Sequence, residues 1–184
     1  MKNERLKTGD LIGVSGIESD WGAAIVASSK DATHAQYDHV GMLEVTPRGL
    51  FVWNANPHLG VAREELSAFV AREEAEVSKL FGLYRLKKMI DFDAVLTKMR
   101  ALLDLPYNFS FIQSENSYYC SDFIARTFPA AIFPLEAMHF EGDFWTLYYE
   151  KLGISEIPEG KIGIHPSDLL ASPKLVTLGD LDKL

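Results

Sequence analysis

The stretch Tyr118-Tyr119-Cys120-Ser121-Asp122-Phe123-Ile124-Ala125-Arg126 holds the protein's single cysteine at the start of a helical pattern. Apolar residues at Phe123, Ile124 and Phe128 predict a helix with one buried face. A cysteine in the first turn of a helix meets the positive end of the helix dipole and unpaired backbone amides, which favour the nucleophilic thiolate. Free cysteine is also a common core residue. This stretch alone therefore leaves both a reactive and an inert Cys120 open.

Composition limits the class of protein. The 184 residues, 47% hydrophobic and 24% charged, predict one globular domain spanning residues 1–184. The formal net charge of −8 argues against nucleic acid or an anionic membrane as the main partner, because either requires a basic surface. The composition gives no indication of oligomeric state.

The location of the protein is also predicted from what the sequence lacks. One cysteine excludes an internal disulfide, so folding does not require an oxidising compartment. The N-terminal residues 1–6 contain no apolar run typical of a signal peptide, and no window approaches the roughly 18 apolar residues of a membrane-spanning helix. We therefore predict a cytoplasmic protein without a transmembrane segment, although a leader removed from the sequence would not be detected.

A second informative stretch runs from Tyr37 to Ala55. Two apolar, strand-like runs flank Thr46-Pro47-Arg48-Gly49, a pattern typical of a β-hairpin. If Thr46 and Gly49 flank a two-residue turn, Val45 faces Leu50 and Gly41 faces Asn54. Side chains alternate along a strand, so His39 and Asn54 then share one face while Glu44 points away. A slip of one residue would reverse the faces.

The rest of the chain predicts a mixture of helices and strands. We expect strands at Leu11 to Val14, Val77 to Leu86 and Lys174 to Leu178. We expect helices from Trp21 to about Ser29 with Asp20 as the cap, from Glu64 to Val70, from Asp91 to Leu103, and after His165-Pro166. The acidic run from Arg72 to Glu76 is interpreted as a solvated face. Together these elements predict an α+β fold.

The residue types needed for nucleophilic catalysis are present. A cysteine nucleophile needs a base and a third group that orients the base, and Cys120, His39 and Asn54 have those types. Asp10 and Glu44 are rival orienting groups. His39 is also compatible with the role of a half-buried strand histidine and Asn54 with that of a structural amide near the turn, and Tyr107 is either a core residue or an oxyanion donor. The five histidines lack paired metal-ligand spacing and there is no second cysteine, so we predict no metal and no cofactor.

These residues resemble the motifs of the NlpC-type papain-fold cysteine hydrolases. In that family the nucleophile is carried by a helix that is approached through a "Pro-Tyr, short loop, Cys-Ser" pattern, as in Pro106-Tyr107 and Cys120-Ser121 here. His39 precedes Cys120, an order similar to the circularly permuted, YiiX-like branch. The resemblance covers roughly residues 6–128 and, more weakly, 166–176. It implies a circularly permuted papain-like fold, with an antiparallel sheet packed against helices.

The resemblance also implies roles for individual residues. Cys120 would be the nucleophile, His39 the base and Tyr107 an oxyanion donor. The permuted branch often carries Glu where this chain has Asn54, so the third triad position departs from the family pattern. Substrate contacts are expected beside the two reacting residues, at Tyr37, Asp38, Tyr119 and Ser121.

The predicted activity is cleavage of an amide or ester by a cysteine peptidase or amidase. The substrate would be a small peptide, such as a cell-wall fragment, or a lipid amide, since the branch is associated with acylated ligands. The aromatic stretch from Phe140 to Tyr149 either lines such a pocket or belongs to the core. An acyltransferase on the same fold and a module that binds acyl or lipid ligands without turnover are the alternatives.

Overall fold

The computed structural model describes residues 6–15, 19–30, 37–75 and 79–181 of the chain. Six helices and eight strands are found in these residues. In chain order they are β1 (Leu11–Ser15), α1 (Asp20–Ala27), β2 (His39–Thr46), β3 (Gly49–Asn56), β4 (Gly60–Glu65), α2 (Leu66–Glu73), β5 (Leu80–Leu86), α3 (Phe92–Ala101), α4 (Cys120–Thr127), β6 (Glu136–Ala137), α5 (Phe144–Leu152), β7 (Ile162–Gly163), α6 (Pro166–Leu170) and β8 (Leu175–Asp180).

Six strands form one antiparallel sheet in the order β4-β3-β2-β1-β5-β8. Val40, Met42 and Trp53 contribute one face of the sheet to the core that also contains α4. Leu43 and Val52, which alternate with them, belong to a second core on the opposite face. The predicted α+β class, with an antiparallel sheet packed against helices, is confirmed.

The β2–β3 hairpin has the predicted register. Thr46 pairs with Gly49 and Val45 with Leu50, and the ladder extends to Met42 and Trp53. A Cβ atom on Gly41 would lie 2.6 Å from Cγ1 of Val52 and 3.4 Å from Cβ of Asn54, so only glycine allows the two strands to approach this closely. The start of β2, where His39 lies, is thereby held against the end of β3.

Helix α4 begins at Cys120 and ends at Thr127, two residues before Pro129. Phe123 and Ile124 are fully buried, as the apolar spacing predicts. Because α4 packs against β2 and β3, its first turn lies beside the start of β2.

Several predicted elements differ from the structure. Ser19, rather than Asp20, caps α1, because its hydroxyl accepts a hydrogen bond from the amide of Gly22 at 2.9 Å. The helix predicted from Glu64 begins at Leu66, since Glu64 pairs with Val52 in β4, a strand absent from our sequence prediction. The strand predicted from Val77 begins at Leu80, and residues 76–78 lie outside the described part of the chain.

Candidate active site

Cys120 lies in the wall of a cavity of about 270 Å³. This volume is near the lower end of the range for small-molecule sites, roughly 300–1,000 Å³. Most of the cavity wall is apolar, and its large side chains include Ile25, Phe111, Phe133, Met138, Phe140 and Trp145. Of the aromatic stretch that the sequence left open, Phe140 and Trp145 therefore line the cavity, whereas Tyr149 is buried in the core.

The electrostatic environment of Cys120 combines two opposing effects. Burial raises the pKa of the thiol to about 12, while the backbone N–H groups of Val40 and Ser121 act in the opposite direction. The helix N-terminus does favour the thiolate, as expected, but desolvation has the larger effect on the pKa of the thiol. Cys120 is therefore a neutral thiol at pH 7 when the cavity holds no substrate.

Tyr107 lies in the same cavity wall as Cys120. Burial is the largest cause that raises the pKa of its phenol, and the neighbouring Cys120 adds to it. The hydroxyl consequently keeps its proton at neutral pH and remains a hydrogen-bond donor close to the sulfur.

His39 and Asn54 meet across the hairpin. Nε2 of His39 lies 3.3 Å from Oδ1 of Asn54, and the imidazole stacks on Phe69 with ring centroids 5.9 Å apart. No hydrogen bond joins the sulfur of Cys120 to this ring, although both residues are in the described part of the chain. The amide of Val40, which acts on the sulfur, belongs to the residue that follows His39.

The two rival orienting carboxylates have other partners. Asp10 is held by Arg85, whose Nε and Nη2 donate at 2.6 and 2.7 Å. Glu44 accepts hydrogen bonds from Trp53 Nε1 at 2.9 Å and Arg63 Nε at 2.6 Å. Of the three groups that the sequence left open, Asn54 is the one that hydrogen-bonds to His39.

The residues beside Cys120 connect α4 to the strand that precedes α6. The hydroxyl of Ser121 donates to the carbonyl of Ile164 at 2.6 Å, and the hydroxyl of Tyr119 accepts from the amide of Ile164 at 3.2 Å. Both side chains also line the cavity. They fix the first turn of α4 against this part of the wall.

The structure separates the two residues before His39. Asp38 lines the Cys120 cavity; its Oδ2 lies 3.7 Å from Nζ of Lys79, and its buried Oδ1 has no hydrogen-bond partner among the described residues. Burial raises the pKa of this carboxyl, and Lys79 opposes the shift. Tyr37 instead lines a separate depression, where its hydroxyl accepts from Tyr84 at 2.8 Å. A ligand confined to the Cys120 cavity would therefore not touch Tyr37.

A buried polar network behind His39 was missed by the sequence analysis. Arg72 and Glu73, interpreted there as part of a solvated face, are inward-facing: Arg72 binds Glu64, and Glu73 Oε1 lies 3.9 Å from Nε2 of His39. The same spacing of charges would suit a surface helix, and Glu64 stands between the charged residues Arg63 and Glu65, so no sequence pattern indicated this network.

His165 was also missed as a site residue. It lines the Cys120 cavity directly before α6, and both of its ring nitrogens are buried without a hydrogen-bond partner in the described part of the chain. Burial lowers the pKa of this imidazole to about 4, so it is neutral at pH 7. Its neighbour Pro166 predicted only the start of a helix, so no pattern marked His165 as a site residue.

The described residues also bear on metal ions and membranes. Within residues 6–15, 19–30, 37–75 and 79–181, no group of three or more His, Cys, Asp or Glu side chains could hold a metal ion. No helix in these ranges is long and apolar enough to cross a membrane.

Comparison with known proteins shows which family and which solved structure this chain is similar to. A sequence profile of the permuted papain-like amidase enzymes of the YaeF/YiiX, C92 family matches residues 6–179. Among solved structures, the chain is similar to one titled as the metalloprotein yiiX from Escherichia coli O157:H7, with a TM-score of 0.77 and 20% identity over 94% of this chain and 96% of that chain. A comparison with curated proteins found no match.

The fold and the position of Cys120 at the start of α4 therefore define a permuted papain-like enzyme. The chain belongs to the YaeF/YiiX family of permuted papain-like amidases, as the resemblance in the sequence indicated. At 20% identity the solved structure supports the fold alone.

Proposed function

We propose that this protein is a cysteine amidase in which Cys120 attacks the carbonyl carbon of an amide or ester. The observation that carries the proposal is the position of its thiol, at the N-terminus of a buried helix and in the wall of a cavity beside two backbone N–H groups. A helix N-terminus stabilises negative charge, which is what the sulfur and the reacting oxygen both develop.

The first step requires a base, because Cys120 rests as a neutral thiol. His39 takes the proton as the sulfur attacks, and the resulting imidazolium later donates it to the leaving amine. Within the described residues no hydrogen bond joins Cys120 to His39; such contacts commonly tighten only in the substrate complex. Nδ1 of His39 has no hydrogen-bond partner among the described residues and is the atom that we assign to this transfer.

The tetrahedral intermediate needs donors for its oxyanion. The hydroxyl of Tyr107, which remains protonated, and the backbone N–H of Cys120 in the first turn of α4 are our candidates. Collapse of the intermediate breaks the C–N bond and leaves an acyl thioester on Cys120. Water activated by His39 then releases the acid and regenerates the thiol.

The cavity supports a compact acyl group as the part of the substrate that binds beside Cys120. Its apolar and aromatic wall favours burial of carbon. Asp38 and His165 also line it, and each has buried polar atoms without a hydrogen-bond partner among the residues that the structure describes. We assign substrate contacts to Asp38, Tyr119 and Ser121. A short peptide and a lipid amide with a short acyl chain both fit this description.

The experiment is hydrolysis of a matched panel of acyl p-nitroanilides and short peptides by the wild type and by Cys120→Ala. We expect turnover by the wild type and none above background by Cys120→Ala, with an unchanged circular dichroism spectrum. Turnover that persists in Cys120→Ala would refute the assignment.

A binding module without turnover is the second candidate, because the raised pKa of Cys120 is also what an unreactive thiol would have. It predicts that an acyl ligand binds wild type and Cys120→Ala with the same affinity and is recovered intact. Isothermal titration followed by mass analysis of the recovered ligand separates the two functions.

A further inference from the structure

Glu64 lies directly behind the pair formed by His39 and Asn54. Its Oε2 accepts a hydrogen bond from Nδ2 of Asn54 at 2.8 Å. Arg72 holds the same carboxylate from the other side, with Nε 3.0 Å from Oε1 and Nη2 2.9 Å from Oε2. The side chain of Glu64 is one-tenth exposed, so this bidentate ion pair between Arg72 and Glu64 is largely shielded from water.

These contacts determine which way the amide of Asn54 points. A carboxylate only accepts hydrogen bonds, so the NH₂ group of Asn54 must face Glu64. The amide oxygen then faces the donors Nδ2 of Asn56 at 3.0 Å and Nη2 of Arg72 at 3.4 Å. Asn56 cannot reverse its own amide, because its oxygen accepts from the backbone N–H groups of His58 and Leu59.

The orientation of Asn54 in turn determines the tautomer of His39. Because Nε2 faces an amide oxygen, this nitrogen has to carry the proton and donate it. Nδ1 of the neutral ring is then the acceptor, which is the form that a base requires. A reversed Asn54 would favour the other tautomer and leave Nδ1 protonated.

We infer that Glu64 is a positioning residue for His39, acting through Asn54. The inference rests on the proposed role of His39 as the base. Asn54 alone cannot offset the positive charge of an imidazolium. Glu73 is the nearer carboxylate, with Oε1 3.9 Å from Nε2 of His39, and it is also paired with Arg72 and Lys79. Glu64 acts differently, because it hydrogen-bonds to Asn54 and so determines which atom of that amide faces His39. Arg72 keeps Glu64 ionised: burial opposes ionisation, but the hydrogen bonds from Arg72 and Asn54 lower the pKa of Glu64 overall.

The first test measures the tautomer and requires no substrate. Two-bond ¹H–¹⁵N spectra of the histidine rings are recorded for wild type, Glu64→Gln and Glu65→Gln, with His39 assigned by its loss in His39→Gln. Glu65→Gln is the matched control, because Glu65 is an exposed neighbour whose side chain makes no capping hydrogen bond to α2. We expect the Nε2–H form in wild type and control, and a mixture of tautomers in Glu64→Gln. The same single tautomer in all three proteins would overturn the inference.

The second test moves the carboxylate along the network. Glu64→Gln should slow amide hydrolysis about 10- to 100-fold, as loss of an outer-shell partner typically does. The double variant Asn54→Asp/Glu64→Gln retains one carboxylate beside Arg72 and should recover most of the rate. A double variant no faster than Glu64→Gln would contradict the inference. If Glu64→Gln alone does not fold, the double variant is compared with wild type, and a rate about 10-fold or more below wild type would contradict it.

The two proposals fail in distinguishable ways. A wild type that shows the Nε2–H tautomer but does not hydrolyse any amide would overturn the proposed function and leave the positioning role intact. A wild type that hydrolyses amides, with Glu64→Gln equal to it in both tautomer and rate, would overturn the positioning role alone.

Discussion

The Nε2 atom of His39, at the start of β2, lies 3.3 Å from the Oδ1 atom of Asn54, near the end of β3. The hairpin register produces this contact, since residues that share a face on paired strands are neighbours. Glu44, five residues after His39, has the opposite parity and points to the core that contains Trp53. One two-residue turn thus selects an amide rather than a carboxylate as the partner of the histidine.

Replacement of the two candidate orienting groups should have different effects. Asn54→Ala removes the acceptor for His39 and should slow hydrolysis about 10- to 100-fold, the range for lost outer-shell partners. Glu44→Ala leaves the Trp53 N–H and Arg63 without their acceptor and should lower the free energy of unfolding by about 1–3 kcal/mol. Steady-state kinetics and urea denaturation of both variants test this. A larger rate effect for Glu44→Ala would contradict the assigned register.

Alkylation of Cys120 should be slow at neutral pH. Burial raises the pKa of the thiol to about 12, so little thiolate exists at pH 7 without a bound substrate. The rate with iodoacetamide, followed by intact mass, should still be rising with pH where a free thiol, with a pKa of about 8.5, has levelled off. Fast labelling with a midpoint well below that value would show that the helix N-terminus outweighs burial.

The stability of the protein should fall in weak acid partly because of His165. Burial lowers its pKa in the folded state from 6.5 to about 4. The contribution of the neutral ring is therefore fully present above pH 6.5 and is lost as pH falls towards 4, because the unfolded chain binds the proton first. Between pH 7 and 4.5 the melting temperature of His165→Gln should fall less than that of wild type. The melting temperature of His58→Gln, in which an exposed histidine is replaced, should fall as much as that of wild type. Equal losses in all three proteins would exclude this role for His165.

The close approach of β2 and β3 can be tested at Gly41. A Cβ atom there would lie 2.6 Å from Cγ1 of Val52 and 3.1 Å from the carbonyl oxygen of Trp53. Gly41→Ala should therefore separate the strands beside His39 and destabilise the fold by about 1–3 kcal/mol, as overpacking does. Thermal and urea unfolding measure the effect. An unchanged stability would mean that the hairpin tolerates a wider spacing than the structure has.

The parts of the site that depend on local pattern were predictable from the sequence. The Pro- and Gly-containing turn specified the β2–β3 register, and the spacing of Phe123 and Ile124 specified the buried face of α4. Both follow from periodicities of two and 3.6 residues, which a single sequence displays. The meeting of His39 with Asn54 follows from these patterns.

The parts that depend on distant packing were not predictable. Arg72 and Glu73 have the composition of a solvated run, and only the contact of α2 with β3 and β4 turns them inward. The raised pKa of Cys120 likewise results from burial, which arises where α4 packs against the distant strands β2 and β3. Helix-dipole reasoning from the sequence considered only the first turn of α4 and therefore expected the opposite shift.

The central claim is that Cys120 forms a covalent acyl intermediate. The most direct measurement is to mix the protein with an activated acyl ester, p-nitrophenyl butyrate, quench with acid, and locate any acyl group by intact mass and peptide mapping. We predict one acyl group on the peptide that carries Cys120 in wild type, none in Cys120→Ala, and slower formation in His39→Ala. An unmodified Cys120 during turnover of the ester, or an equal adduct in Cys120→Ala, would contradict the account.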